Sequence, residues 1–127
     1  MNKYTGTFEI KLQGKEYTLR PSFEAMIEFE DKTEKAVNEA FQDMLDGKMS
    51  FKTIASALWA GIKGEALWRN DPSYELKFPV VGEMIKKDGL QNHVASASKF
   101  FTMALVPEED QKRLAEEEPQ EPSKKNT

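Results

Sequence analysis

The side chains that could carry acid–base or metal chemistry are few in this sequence. His93 is the single histidine and cysteine is absent, so multi-histidine sites, thiolate metal sites and thiol nucleophiles are excluded. Glu24, Glu28 and Asp31 share one side of a predicted helix, but a carboxylate metal site needs more oxygen ligands at defined places. Ser96, near His93, has no recognisable acid partner or nucleophile elbow. We interpret His93 as a packing or surface residue and the three acids as a solvated face.

The remaining small-molecule motif to consider is the pair of glycines in Gly61-Ile62-Lys63-Gly64. Their spacing is not that of a phosphate-binding P-loop, so a structural role is expected for both. With no catalytic or cofactor-binding pattern elsewhere, the sequence predicts a protein that is not an enzyme and that uses no metal or cofactor.

Aromatic side chains are better candidates, and the chemistry they offer is recognition of another protein. Trp59 falls in the apolar pattern of a helix and is predicted to be core. Trp68, Tyr74 and Phe78 lie in or beside an irregular segment, where no helical stripe assigns them inward. Exposed aromatics are enriched in protein-binding patches, so these three are the predicted partner-binding residues. The alternative is that they fold back as a lid over the core.

The element that organises the chain is a helix predicted over residues 51–64. Ser50 is a suitable N-cap, and Ala57, Ala60 and Gly61 leave a side that a second element could approach closely. The helix must be covered by its neighbours, because its apolar residues form one stripe at helical spacing. These residues are Phe51, Ile54, Ala55, Leu58 and Ile62.

A β-hairpin is predicted over residues 7–20. Apolar and charged residues alternate there with the period of a half-buried strand. Gly14-Lys15 can form a two-residue turn, which places Leu12 opposite Tyr17 and Ile10 opposite Leu19. All the large apolar side chains then share one face, and that face must pack on helices.

Four further helices are predicted around the central one. Ser22 caps the first, with Phe23, Met26, Ile27 and Phe29 on its apolar side, and Thr33 caps the second, which Gly47 ends. A short helix runs from Pro79 to Gly89, and a last one starts at Leu90 and ends before Pro107. The predicted fold class is therefore α+β, a β-hairpin packed on a mainly helical body of about five helices.

Length and charge predict one domain and a tail. The 127 residues, of which 39% are hydrophobic, suit a single globular domain, assigned to residues 1–106. Residues 107–127 hold seven acids and four bases and so carry −3 of the total charge of −4. This segment is predicted to be a disordered acidic tail. A nearly neutral body argues against nucleic-acid binding through a basic surface, and the apolar runs are too short for a membrane helix.

Three stretches of the sequence resemble a known family. Residues 16–30 (EYTLRPSFEAMIEFE) are followed by ALWAGIKGE and by VVGEMIKKDGL, and together they are similar to the small tail assembly chaperones of long-tailed phages and gene transfer agents. The likeness covers most of residues 17–105. Its positions are Leu19, Arg20, Pro21, Phe23, Glu24, Ala25, Leu58, Trp59, Ala60 and Gly61, with a looser match at Val81, Gly82, Glu83, Ile85 and Gly89.

The resemblance implies a protein that binds the tape-measure protein of a phage or prophage in the bacterial host cytoplasm. There it would keep that aggregation-prone chain soluble until tail-tube subunits polymerise around it, and it would be absent from the mature particle. Tail-tube subunits are a second expected partner, and self-association is left open. The alternative is a structural minor tail component, a tail-tube or tail-completion protein that stays in the particle.

Overall fold

The computed structural model describes the backbone of residues 6–117 and the side chains of residues 6–113. Within that range a two-stranded antiparallel sheet is followed by six α-helices and two short 3₁₀ turns. This confirms the predicted fold class. The elements are β1 (Phe8–Leu12), β2 (Lys15–Leu19), α1 (Phe23–Thr33), α2 (Val37–Leu45), α3 (Phe51–Arg69), α4 (Phe78–Asp88), α5 (Val94–Leu105) and α6 (Glu108–Glu117), with 3₁₀ turns at Pro72–Tyr74 and Leu90–His93.

The hairpin has the predicted apolar face but a different turn. Gln13 and Gly14 form the loop with φ values of 53° and 80°, so that Leu12 lies opposite Lys15. The predicted loop, which placed Leu12 opposite Tyr17, is wrong by two residues in register. Such a shift moves no side chain to the other face, because the side-chain period of a strand is two. The face of the hairpin that is buried consists, as predicted, of Phe8, Ile10, Leu12, Tyr17 and Leu19.

α3 is the central helix, as predicted, and it continues past Gly64 to Arg69. The Ser50 hydroxyl caps it by accepting the Thr53 N–H at 3.1 Å. From Thr53 to Ala66 every residue except Lys63 is buried, because the hairpin, α1, α4 and α5 all pack against this helix. Phe51, at the first position, differs from the predicted stripe, since it is exposed.

The hairpin and α1 approach α3 closely at its two glycines, as the sequence predicted for Gly61. A Cβ atom built on Gly61 would lie 2.8 Å from the Leu19 side chain, and one built on Gly64 would strike the Arg20 carbonyl oxygen. The Gly61 carbonyl accepts the Arg20 N–H at 2.9 Å. The end of β2 and the start of α1 are thus held directly on the backbone of α3. Only glycine, which has no Cβ atom, leaves enough space for this contact at positions 61 and 64.

α1 runs antiparallel to α3, and two contacts fix this direction. Near the start of α1, Ala25 lies against Gly64 of α3. Two turns further along α1, the Lys32 ammonium lies 4.9 Å from the ring centroid of Trp59, which comes earlier in α3. The start of α1 therefore lies beside the last turns of α3.

Thr33 does not cap the second helix as predicted, because α1 continues through it. Its hydroxyl donates instead to the Phe29 carbonyl at 2.8 Å. α2 begins at Val37, whose N–H donates to the Glu30 carboxylate at 2.8 Å. A carboxylate of the preceding helix thus supplies the cap that the sequence assigned to a hydroxyl.

Three phenylalanines join α1 to α5 in the core. Phe29 lies edge-on to Phe101, with ring centroids 5.2 Å apart, and Phe101 lies edge-on to Phe100 at 5.3 Å. All three are fully buried. Edge-to-face pairs of this kind stabilise a fold by about 0.5–1.5 kcal/mol beyond the area that they bury.

The described part of the predicted acidic tail forms α6. The Gln111 amide donates to the Met103 carbonyl at 3.1 Å and to the Val106 carbonyl at 2.5 Å, so this helix is tied to the end of α5. Residues 118–127, the rest of the predicted disordered tail, lie outside the described residues. The division into a domain and a tail at residue 107 stays a prediction.

Candidate partner-binding surface

A buried carboxylate organises the end of α3 where the candidate aromatics lie. Glu65 is only 4% exposed, and it accepts from Arg20 Nε at 2.9 Å and from Arg69 Nε at 2.6 Å. The bond to Glu65 raises the pKa of the Arg69 guanidinium. One carboxylate thus holds two cations, one from the connection between β2 and α1 and one from its own helix.

Trp68 is the most exposed of the predicted partner-binding residues, with 67% of its surface accessible. Its indole is nevertheless in contact with another side chain. The Arg20 guanidinium lies over the ring, with Cζ 4.0 Å from the ring centroid. Arg20 is itself fixed by Glu65. The result is a large apolar ring that faces solvent in a defined position.

Tyr74 is tied to the hairpin. Its hydroxyl accepts the Thr18 N–H at 2.6 Å and lies 3.4 Å from the Thr18 carbonyl. Its ring packs edge-on against Tyr17, with centroids 6.5 Å apart, and the Arg69 guanidinium lies over it at 4.1 Å. Tyr74 therefore agrees with the alternative prediction, in which the side chain folds back over the core.

Phe78 also packs inward. Its ring is edge-on to that of Trp59, with centroids 6.0 Å apart, and Trp59 is buried, as predicted. The Trp59 indole N–H donates to the Leu76 carbonyl at 3.1 Å, which fixes the segment before α4. The Lys32 ammonium covers both rings at 4.9 Å. Phe78 is thus half-buried, and the structure does not bring it to the same exposed surface as Trp68.

Two further exposed apolar residues lie on α1, and sequence reasoning missed them. Phe23 is 68% exposed and Ile27 is 41% exposed, one turn apart on α1. The pattern of α1 placed them on its apolar side, but only Ala25 and Phe29 of that helix are fully buried. A sequence signal was available for Phe23, since it stands at the first position of α1. We name Phe23, Ile27 and Trp68 the Trp68 surface.

His93 has a structural contact. It is buried, as expected for a packing residue, and its Nε2 lies 2.7 Å from the Asp88 carboxylate. Asp88 also accepts from the Gln13 N–H at 3.2 Å and from the Gln13 amide at 2.5 Å. The bonds from His93 and Gln13 lower the pKa of Asp88. This carboxylate therefore links the hairpin turn to the end of α4 and the start of α5.

The remaining sequence candidates do not form a reactive constellation. Glu24 and Asp31 are exposed, while Glu28 is paired with Lys63. Among residues 6–117, no group of three or more histidines, aspartates and glutamates is arranged to hold a metal ion. Within the same range, no helix combines the length and the apolar character needed to cross a bilayer.

Comparisons with known protein families, with curated proteins and with solved structures found no match to this chain.

Proposed function

We propose that this protein is a phage tail assembly chaperone that binds the tape-measure protein and keeps it soluble during tail morphogenesis. The proposal places it in the cytoplasm of a bacterial host and outside the finished particle. It starts from the resemblance of residues 17–105 to that family. The observation that carries it here is the exposed Trp68 indole, held in place by Arg20. Phe23 and Ile27 of α1 are further exposed apolar side chains that a partner could contact.

The physical case rests on what such a surface can bind. Aromatic side chains dominate the energetics of protein interfaces, and an anchor that is ordered before binding loses little conformational entropy when it docks. Phe23 and Ile27 are exposed one helical turn apart on α1. An apolar stripe on a partner helix can pack against such a row. A helix-rich chain that aggregates when unaccompanied exposes stripes of that kind.

Co-expression with the tape-measure protein encoded in the same phage or prophage tests the proposal. The tape-measure protein alone should be found in the insoluble fraction, and with this chain it should become soluble in a complex that survives purification. The alternative, a structural tail component, predicts a fixed copy number of this chain in purified particles. A tape-measure protein that is equally soluble without this chain would contradict the chaperone function.

A specific variant separates binding from general solubilisation. Trp68→Ala should reduce the yield of the soluble complex, because it removes the exposed indole. Leu45→Ala is the matched control, since Leu45 is also an exposed apolar residue, 60% accessible, but lies on α2. Equal yields from the two variants would show that the Trp68 indole does not contribute to binding.

A further inference from the structure

The edge of β2 that faces away from β1, its outer edge, is occupied by the side chain of Tyr74. In an antiparallel pair, residues alternate between those that bond to the partner strand and those whose N–H and C=O point outward. Thr18 belongs to the second group, since its N–H donates to the Tyr74 hydroxyl at 2.6 Å and its carbonyl lies 3.4 Å from the same oxygen. No strand can add to β2 at that position without displacing Tyr74.

The outer edge of β1 is different. Leu12 and Lys15 flank the two-residue loop and so form a hydrogen-bonded pair, which makes Glu9 and Lys11 the β1 residues whose backbone groups point outward. Glu9 lies opposite Thr18 and so belongs to the same kind of pair. Because the Thr18 N–H points away from β1 to Tyr74, the backbone groups of Glu9 must point away from β2. Within the described part of the chain, nothing accepts or donates a hydrogen bond at the backbone of Glu9 or Lys11.

Space for a partner exists along this edge. An open groove of about 380 Å³ lies between β1 and the segment from the end of α4 to the start of α5. The residues that line it are Ile10, Lys11, Gly14, Asp88, Asn92, His93 and Ser96. An exposed strand edge of this kind is a template for pairing with another strand.

We propose that β1 pairs with β1 of a second copy of this chain, antiparallel and about a two-fold axis at Ile10, to give a four-stranded sheet. Glu9 of each copy then lies opposite Lys11 of the other. These are the residues whose N–H and C=O groups point outward, so each such pair exchanges two backbone hydrogen bonds. Their side chains share the exposed face and carry opposite charges.

The charges select this register over its neighbours. A shift of two residues in one direction places Glu9 opposite Glu9 of the other copy, and a shift in the other direction places Lys11 opposite Lys11. Like charges directly opposite each other destabilise a strand pair, whereas opposite charges stabilise it. A shift of one residue would set outward groups against inward ones and leave them unbonded. The edge is therefore complementary to itself in one register, as a two-fold interface requires.

The oligomeric state of the full chain, measured by sedimentation velocity over a range of concentrations, tests this. The wild type should show a monomer–dimer equilibrium. Lys11→Pro should abolish the dimer and keep the fold, because the Lys11 N–H is not used within the hairpin and proline is tolerated on edge strands with that group outward. A wild type that stays monomeric at every concentration, or a dimer that persists in Lys11→Pro, would overturn the proposal.

A charge swap tests the register without relying on proline. Lys11→Glu should weaken the dimer by about tenfold or more, because both symmetric pairs become repulsive. The double variant Glu9→Lys with Lys11→Glu should restore it, and Lys86→Glu, a charge reversal at an exposed position of α4, should leave it unchanged. A failure of the double variant to recover dimerisation would refute this register.

Hydrogen exchange reports on the backbone bonds themselves. The amides of Glu9 and Lys11 should exchange fast in dilute samples and slowly in concentrated ones, while the Ile10 amide should be protected in both. Equal exchange of Glu9 and Lys11 at all concentrations would place the dimer contact elsewhere. None of these measurements involves the tape-measure protein, so dimerisation through β1 is tested independently of the proposed function.

Discussion

The Arg20 guanidinium lies over the indole of Trp68, with Cζ 4.0 Å from the ring centroid, while Arg20 Nε donates to the buried Glu65 carboxylate at 2.9 Å. A cation on an aromatic face stabilises the contact by about 0.5–2 kcal/mol. These two contacts link the buried Glu65 carboxylate to the exposed Trp68 ring through Arg20. A substitution of Glu65 should therefore also change the position of the indole.

Glu65→Gln should destabilise the fold by about 1–3 kcal/mol, because it removes the charge that accepts hydrogen bonds from two arginines. Glu24→Gln is the matched control at an exposed position of α1 and should change the free energy of unfolding by less than about 0.5 kcal/mol. Urea denaturation of both variants measures this. Equal stabilities would mean that the two arginines are as well solvated without the carboxylate as they are with it.

Gly64→Ala should destabilise strongly, because the added Cβ would strike the backbone carbonyl of Arg20, which has little room to move. Overpacking of this kind costs typically about 1–3 kcal/mol. Gly82→Ala in α4 is the control, since a Cβ there meets nothing within 4 Å. It should stabilise by about 0.5–1 kcal/mol through helix propensity. If both substitutions stabilise, the close approach of β2 and α1 to α3 is wrong.

The stability that Asp88 supplies should depend on pH. Its hydrogen bonds from His93 and Gln13 hold its pKa below the ordinary value of 3.8. A depressed pKa in the folded state stabilises the fold above the unfolded value, so the contribution is full above 3.8 and is lost as the pH falls through the folded pKa. Wild type should therefore exceed Asp88→Asn in stability near neutral pH and approach it in acid. A difference that is the same at both pH values would exclude this ionisation as the cause.

Removal of residues 108–127 should lower the melting midpoint by no more than a few degrees, which corresponds to about 1 kcal/mol in a domain of this size. Among the described residues of that segment, Gln111 supplies the bonds that join it to α5. Gln111→Ala in the full chain should therefore reproduce most of the change. A loss of helical circular dichroism from the body would show that the segment is part of the folded core.

The hairpin shows what local sequence could and could not predict. Its strands and buried face followed from the alternation of apolar residues, but that pattern is unchanged by a shift of two residues. The register therefore had to be inferred from turn chemistry, where Gly14 fits either loop position. The Gln13–Asp88 bonds, which hold the actual turn, join residues 75 positions apart. Such a contact has no local signal.

The candidate surface was predictable only in part, for a similar reason. Residues 65–78 show no helical stripe in the sequence, so nothing in the pattern distinguished the exposed Trp68 from the inward Tyr74 and Phe78. Tyr74 is placed by Thr18, 56 residues away, and Phe78 by the indole of Trp59. The central helix was predictable from its apolar stripe and its Ser50 cap, but the burial of its other sides depends on how the hairpin, α1, α4 and α5 pack around it.

The last prediction separates recognition from packing among the candidate aromatics. Trp68→Ala should weaken the complex with the tape-measure protein by about 1–2 kcal/mol or more if the indole is an anchor. It should leave the melting midpoint within a few degrees of wild type, because the ring is largely solvated and loses only its contact with Arg20. Phe78→Ala, unlike Trp68→Ala, should lower the melting midpoint, because the Phe78 ring packs edge-on against the buried Trp59. Competition of each variant with the wild type for co-expressed tape-measure protein, and thermal denaturation of the free variants, measure the two effects. A Trp68→Ala variant that loses stability but keeps its affinity would make the indole a packing residue and leave Phe23 and Ile27 as the part of the Trp68 surface still to be tested.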